Sequence, residues 1–319
     1  MGFGLMGLSA YYGKTEGEEE RLKFLDHVFD SGERFWDSAD VYGDSEELVG
    51  KWFKKTGRRD DVFLATKFGV YGASGGVRND VPYIHEACNK SLSRLGVESI
   101  DLYYCHRVDS KQPIETTVKA MVELKEQGKI KYLGFSEISA ASLRRAYAVH
   151  PIHAVQIEYS PFTMDIEDPR IGLLSACREL GVTVVAYSPL GRGFLTGRYK
   201  SPDDFEDGDF RKNSPRFSHE NFPKNLELVD KVGELAKAKG VTPGQLVLAF
   251  LLAQGEDVIP IPGTSKYKNY DENFAALDVV ISDEENAEIR KAIEAAEVQG
   301  GRYPDGWEST LFADTVPLD

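Results

Sequence analysis

The sequence predicts a (β/α)8 barrel, a TIM barrel, with a long loop after strand 7 and a C-terminal tail lying over the barrel mouth. Three observations predict it. Eight short apolar runs recur along the 319 residues, and most are followed by a stretch with helical spacing. The runs are almost unbroken by polar residues, as strands covered on both faces require. The long irregular stretches, 188–223 and 300–319, follow the seventh run and the last helix. Strand–helix alternation implies parallel pairing, and eight units select the closed barrel, with an open doubly wound sheet as the alternative. No internal repeat and no interior linker interrupts the chain, so one domain over 1–319 is expected.

The predicted strands are Phe3–Leu8, Arg34–Asp37, Val62–Lys67, Ile100–Cys105, Ile130–Phe135, Ala154–Ile157, Val182–Tyr187 and Val258–Ile261. Between them the spacing predicts helices over Glu18–Asp30, Ser45–Lys55 (capped by Asp44 or Ser45), Pro82–Leu95, Pro113–Glu126, Ala140–Val149 and Ile171–Leu180. Thr242-Pro243-Gly244-Gln245 and Ser282-Asp283-Glu284-Glu285 read as capping boxes, in which a hydroxyl and a side chain three residues later satisfy each other's end of a helix N-terminus. Gly32, Gly96, Gly128 and Gly181 stand just past helix ends, where a left-handed residue closes the last turn.

A formal net charge of −14 opposes phosphate backbones and anionic membranes, so neither nucleic acid nor membrane is an expected partner. An anionic ligand has to be held by local donors. Cys88, Cys105 and Cys177 form no closed disulfide framework, no cysteine–histidine cluster suggests a metal, and buried free thiols are expected. The N-terminus has no signal-peptide pattern and no apolar run reaches membrane-spanning length, so a cytoplasmic protein is expected.

The opening Gly2-Phe3-Gly4-Leu5-Met6-Gly7 matches a dinucleotide fingerprint by letter only. No strand precedes it and no helical spacing begins until about Glu18, so the glycines are expected to let the first strand pass close to a ligand. The predicted strand exits carry more chemistry. Asp37 and Tyr42 leave the second, Lys67 ends the third, and His106 leaves the fourth. In a barrel these exits converge on one mouth, where the fold places catalysis. A lysine ammonium ~4 Å from a phenol lowers its pKa by up to roughly three units, and a buried carboxylate keeps the lysine charged. With His106 as a neutral hydrogen-bond donor, the four groups form a general-acid site for an oxygen becoming an alkoxide.

The Asp37…Tyr42…Lys67…His106 order, with Phe35-Trp36-Asp37-Ser38-Ala39-Asp40-Val41-Tyr42-Gly43 around the tyrosine, resembles the aldo-keto reductase family. The likeness extends through Gly4-Leu5-Met6-Gly7, Leu133-Gly134-Phe135-Ser136-Glu137, Gln156-Ile157-Glu158-Tyr159-Ser160, Ala186-Tyr187-Ser188-Pro189-Leu190-Gly191-Arg192-Gly193 and Ile261-Pro262-Gly263-Thr264 to Glu272-Asn273. It implies hydride transfer from NADPH to a small carbonyl substrate, with Tyr42, Lys67, Asp37 and His106 as the catalytic set. It further implies that Ser136 and Gln156 hold the carboxamide and Tyr187 stacks under the nicotinamide. The backbone of Ser188, Pro189, Leu190, Gly191, Arg192 and Gly193 would wrap the pyrophosphate. Gly263, Thr264, Lys266, Lys268, Glu272 and Asn273 would meet the adenosine 2′-phosphate end.

Within the family the chain resembles most the microbial pyridoxal reductase and general aldehyde reductase branch, on Tyr103-Tyr104-Cys105-His106-Arg107-Val108-Asp109, Ser136-Glu137 and Gly300-Gly301-Arg302-Tyr303-Pro304. Three departures stand out. Glu137 replaces the commoner Asn. Ser265 stands where that branch often carries Lys or Arg, leaving Lys266 and Lys268 to favour NADP. Family members usually also have an N-terminal hairpin capping the barrel floor, whereas this chain opens on the first strand, so that cap is either lost or replaced. Two other functions are compatible with parts of the sequence. One is an NADPH-binding regulatory sensor with little turnover. The other is a barrel glycosidase using Glu137 and Glu158 as its carboxylate pair.

Overall fold

The structure, a computed structural model, describes residues 1–12, 14–71, 76–304 and 306–318. Eight parallel strands run β1 (Phe3–Gly4), β2 (Phe35–Asp37), β3 (Phe63–Phe68), β4 (Ile100–Cys105), β5 (Ile130–Ser136), β6 (Ala154–Glu158), β7 (Thr183–Tyr187) and β8 (Val258–Pro260), each paired with its neighbours in chain order. The amides of Gly2 and Gly4 donate to the carbonyls of Pro260 and Pro262 at 2.9 and 3.2 Å, which brings β8 back to β1 and closes the ring. The expected barrel is therefore present. A short hairpin, Val70–Tyr71 with Gly76–Val77, follows β3.

The first strand is shorter than Phe3–Leu8. Pairing with β2 stops after Gly4, and Met6–Ser9 forms one helical turn that buries Leu8. The opening strand also needs glycine for backbone contact. A Cβ on Gly4 would lie 2.9 Å from the Ile261 carbonyl, and one on Gly263 would lie 2.5 Å from the Gly4 carbonyl. At β5 a Cβ on Gly134 would lie 2.5 Å from the Tyr104 ring, so that glycine makes room for a tyrosine inside the barrel.

Helices α1 (Glu18–Asp30), α2 (Ser45–Thr56), α3 (Val81–Leu95), α4 (Ile114–Glu126), α5 (Ala140–Val149) and α6 (Leu173–Leu180) separate successive strands. After β7 come α7 (Phe222–Lys239) and α8 (Pro243–Leu252), and after β8 come α9 (Tyr267–Phe274) and α10 (Asp283–Ala295). Both expected capping boxes form, at Thr242 and Ser282. Asp44 is the N-cap of α2, but its carboxylate pairs with Arg21 at 2.7 Å instead of capping. Pro113 sits at the N-cap of α4, and α6 begins at Leu173 rather than Ile171.

The main core lies between strands and helices. A small inner cluster of Ala65, Leu102, Tyr104, Ala154, Val185 and Ile261 fills the barrel. Opposite the mouth, Phe35, Phe63, Tyr132 and His153 pack in succession at the strand starts, with ring centroids 4.9–5.9 Å apart, Phe63 and Tyr132 stacked and the other two pairs edge to face. Cys88, Cys105 and Cys177 are buried free thiols. Among the described residues no helix is long and apolar enough to cross a membrane, and no side-chain cluster could hold a metal.

Candidate active site

Alternation along a strand sends every second side chain inward. This sends Lys67 of β3, Tyr104 of β4, Ser136 of β5, Gln156 and Glu158 of β6 and Tyr187 of β7 towards one mouth, with Asp37 at the end of β2. Lys67 is fully buried. Its ammonium contacts Asp37 Oδ1, donates to the Ser38 carbonyl at 2.7 Å, and lies 3.4 Å from the Tyr42 hydroxyl. The turn at Asp40–Asp44, between β2 and α2, carries Tyr42 over the lysine, so the four expected groups do assemble. The Tyr42 and His106 rings stand edge to face with centroids 5.8 Å apart.

The electrostatics correct one expectation. Tyr42 is pushed well above the ordinary phenol value, first by burial and then by the Asp37 carboxylate. The Lys67 charge does not reverse this, because Asp37 lies against the ammonium and cancels much of its field. Burial also lowers Lys67, while Asp37 opposes that shift. His106 is held well below its usual value by burial, Arg107 and Lys67, and is a neutral imidazole at neutral pH. Its Nδ1 is buried without a hydrogen-bond partner among the described residues.

Gln156 donates through Nε2 to Asp37 Oδ2 at 2.8 Å, an interaction absent from its sequence-based role. Its amide oxygen remains available as an acceptor. Ser136 Oγ accepts from Arg107 Nη1 at 3.3 Å, which leaves its own hydrogen free to donate. One acceptor and one donor on neighbouring strands, in register, match a carboxamide.

Tyr187 lies at the mouth, with its hydroxyl donating to Glu137 Oε1 at 2.8 Å and meeting the Tyr303 hydroxyl at 3.1 Å. Ser188–Gly193 makes tight turns, with positive φ at Ser188, Gly191, Arg192 and Gly193. The amides of Gly191 and Gly193 donate back to the Ser188 and Leu190 carbonyls at 2.9 and 3.0 Å, and left-handed turns of this kind can present their remaining amides to an anion. The Arg192 side chain turns away to Glu158, at 3.3 Å, and to Ser214 Oγ, at 3.1 Å. Gly263 and Thr264 precede α9, and Thr264 Oγ1 accepts the Lys266 amide at 3.2 Å. Lys266 itself is exposed and pairs with Glu16 at 2.7 Å. Lys268 is exposed on α9, Glu272 Oε1 accepts from the Thr242 hydroxyl at 2.8 Å, and Asn273 is buried.

The loop after β7 and the C-terminal tail roof this mouth, as the sequence predicts, but the ion pairs that fasten them were not legible from it. Glu158 is buried among Arg192, Arg216 and Arg302, at 3.3, 3.8 and 3.7 Å. Burial raises its carboxyl, but the three guanidinium groups outweigh burial and hold it below the ordinary range. Arg302 also pairs with Glu137 at 3.1 Å. The tail is pinned by backbone bonds, from Ala313 to the Glu137 carbonyl at 2.8 Å and from Ser139 to the Ala313 carbonyl at 3.0 Å. Both glutamates are thus paired with arginine, and Glu158 lacks the raised pKa a glycosidase acid requires. Tyr11, Phe210, Tyr303 and Trp307 form an aromatic wall leading out from Tyr42, with successive centroids 6.1–6.4 Å apart. The only sequence signal for this roof was the cluster of aromatic and arginine residues in the two long stretches.

Residues 1–294 match the Aldo/keto reductase family, and the chain belongs to it. It is 57% identical over 307 residues to aldo-keto reductase str7 of Strobilurus tenacellus, covering 95% of this chain and 91% of that protein. It is 53% identical to aldo-keto reductase yakc [NADP(+)] of Schizosaccharomyces pombe, covering 100% and 95%. Among solved structures it is similar to a glycerol dehydrogenase from Gluconobacter oxydans, with 26% identity, a TM-score of 0.83, and 94% and 93% of the two chains covered. A thermostable aldo-keto reductase bound to the inhibitor epalrestat is 28% identical, with a TM-score of 0.73 over 91% and 94%.

Proposed function

We propose that this protein reduces an aldehyde or ketone to the alcohol with NADPH as reductant and Tyr42 as proton donor. The observation that carries the reading is the wholly buried Lys67, held between Asp37 and Tyr42 beside a neutral His106. NADPH when bound supplies a hydride to the carbonyl carbon. The fit to this chain is specific: Ser136 and Gln156 offer a donor and an acceptor to the carboxamide, and the Ser188–Gly193 turns offer amides to the pyrophosphate. Lys266, freed from Glu16, and Lys268 offer charge to the 2′-phosphate. The NADP(+) in the name of the fission-yeast relative supports the same cofactor.

Tyr42 keeps its proton throughout the neutral range because burial raises its pKa. A developing alkoxide is a far stronger base than a phenolate, so a phenol that holds its proton until that charge appears still donates it downhill. Lys67, 3.4 Å from the Tyr42 oxygen, then offsets part of the negative charge that the phenolate gains, the remainder of its field being taken up by Asp37. Asp37 keeps Lys67 charged despite burial, and Gln156 fixes the second Asp37 oxygen. His106, uncharged, donates to the carbonyl oxygen and sets its angle without competing as an acid. The aromatic wall excludes water.

A panel of carbonyls, pyridoxal among them, assayed by NADPH consumption tests the reaction and the resemblance to pyridoxal reductases together. Turnover of at least one aldehyde with formation of its alcohol is expected. Tight NADPH binding without consumption would instead identify a sensor subunit. For the cofactor, Lys266→Ala is expected to weaken NADPH about tenfold and leave NADH unchanged, since a charge-assisted contact contributes ~1.5–3 kcal/mol. Equal loss for both cofactors in a fluorescence titration rejects that assignment.

A further inference from the structure

Six arginines are buried among the described residues: Arg21, Arg107, Arg192, Arg211, Arg216 and Arg302. Five have carboxylate partners, respectively Asp44 at 2.7 Å for Arg21, then Glu158 at 3.3 Å, Asp209 at 2.6 Å, Glu158 at 3.8 Å and Glu137 at 3.1 Å for the last four. Arg107, only 4% exposed, forms no ion pair among the described residues. Its contacts are all with uncharged groups. Nη1 donates to the His106 carbonyl at 2.7 Å and to Ser136 Oγ at 3.3 Å, and Nη2 lies 3.4 Å from the Tyr303 hydroxyl. Nε is buried and has no partner among the described residues.

A guanidinium does not escape burial by losing its proton, so an unpaired one is a standing cost to the fold. The other five buried arginines show how this chain ordinarily meets that cost. The place of the exception is informative. Arg107 follows His106 directly, and its charge acts on Tyr42, His106 and Lys67. The two weakly used nitrogens, Nε and Nη2, lie on one edge of the guanidinium. Two parallel N–H groups on such an edge match the two oxygens of a carboxylate. Tyr303, the neighbour on that edge, belongs to the tail rather than to the barrel, and its hydroxyl already has a second contact in Tyr187.

We propose that Arg107 selects carbonyl substrates that carry a carboxylate, its Nε–Nη2 edge receiving the anion while His106 and Tyr42 meet the carbonyl oxygen. The inference rests on the carbonyl-reductase reading and narrows it to oxo acids. Arg107 acts as a specificity-determining residue, and the proton transfer itself remains with Tyr42.

The test compares kcat/KM for 4-oxobutanoate and its neutral methyl ester under saturating NADPH. The unmodified protein is expected to prefer the anion at least tenfold. In Arg107→Gln the anion-to-ester ratio should fall by about ten- to a hundredfold, the weight of a charge-assisted pair, and Arg107→Lys should restore part of it. A ratio near one in the unmodified protein, or a ratio untouched by Arg107→Gln, overturns the proposal. Should Arg107→Gln fail to fold, competition on the intact protein decides: butanoate should inhibit ester reduction at least tenfold better than butanamide, and equal inhibition rejects the anion site. If neither aldehyde is reduced, the carbonyl-reductase reading fails by itself. The anion site is then judged by calorimetric titration of butanoate into the NADPH-loaded protein, where binding lost in Arg107→Gln supports it and no binding removes it.

Discussion

The two sides of the barrel mouth are built from the same kinds of charged group and put them to different use. On one side Asp37, Lys67 and Gln156 come from the ends of β2, β3 and β6, with Tyr42 and His106 one turn beyond. On the other side Glu137 and Glu158 leave β5 and β6 and are matched by Arg192, Arg216 and Arg302 from the loop after β7 and the tail. The first side pairs one buried cation with one buried anion, sets the Tyr42 and His106 rings edge to face, and leaves His106 Nδ1 without a partner among the described residues. The second surrounds its carboxylates with guanidinium groups, which hold the Glu158 carboxyl below the ordinary range, so that it stays ionised at neutral pH. A carboxylate at a strand end therefore indicates chemistry only when its partners leave a proton free to move.

Substitutions on the two sides should separate accordingly. Tyr42→Phe removes only the acidic hydroxyl and should cost ~10²–10⁴ in the single-turnover oxidation of bound NADPH, with cofactor affinity retained. A loss of threefold or less would show that the proton comes from elsewhere. Lys67→Met should slow that step comparably and also destabilise the fold, by roughly 3–5 kcal/mol, because Asp37 is left buried and unpaired. Its sign with pH is fixed. Burial already raises Asp37 above its unfolded value, so without Lys67 the folded state favours the protonated acid more strongly, and stability falls as pH rises from about 4. Thermal melts across pH read this directly, and a pH-independent deficit would contradict it.

On the roof, Glu158→Gln should lower the melting temperature by an amount similar to Lys67→Met while changing the chemical step less than threefold. Faster NADPH release, read in stopped flow, is expected as the loop and tail loosen. If the chemical step fell a hundredfold instead, the division between the two sides would be wrong. The smallest effect concerns Asp40, whose carboxyl is pushed up to about 7 by burial and then by Glu46. A raised carboxyl binds more protons folded than unfolded, so its penalty grows between pH 4 and 7 and is complete above that range. Asp40→Asn should therefore raise the melting temperature at pH 8 and leave it nearly unchanged at pH 4.

The amino-acid sequence by itself determined the barrel, its helix caps and the Asp37–Tyr42–Lys67–His106 set. Each is written in short-range pattern: apolar runs, a hydroxyl three residues before a glutamine or glutamate, a polar residue ending a strand. Converging strand exits then bring those four groups together whatever the loops do. Tertiary structure alone decided that β1 stops at Gly4, because the close approach of Gly263 and the pairing with Asp37 are contacts between distant segments. It also decided that Gln156 turns to Asp37, that Arg302 meets Glu137 across 165 residues, and that Arg107 has no carboxylate partner among the described residues. The direction of the Tyr42 shift belongs here too. Lysine proximity was legible, but desolvation depends on how much protein surrounds the hydroxyl from every side, and no local run of residues encodes that.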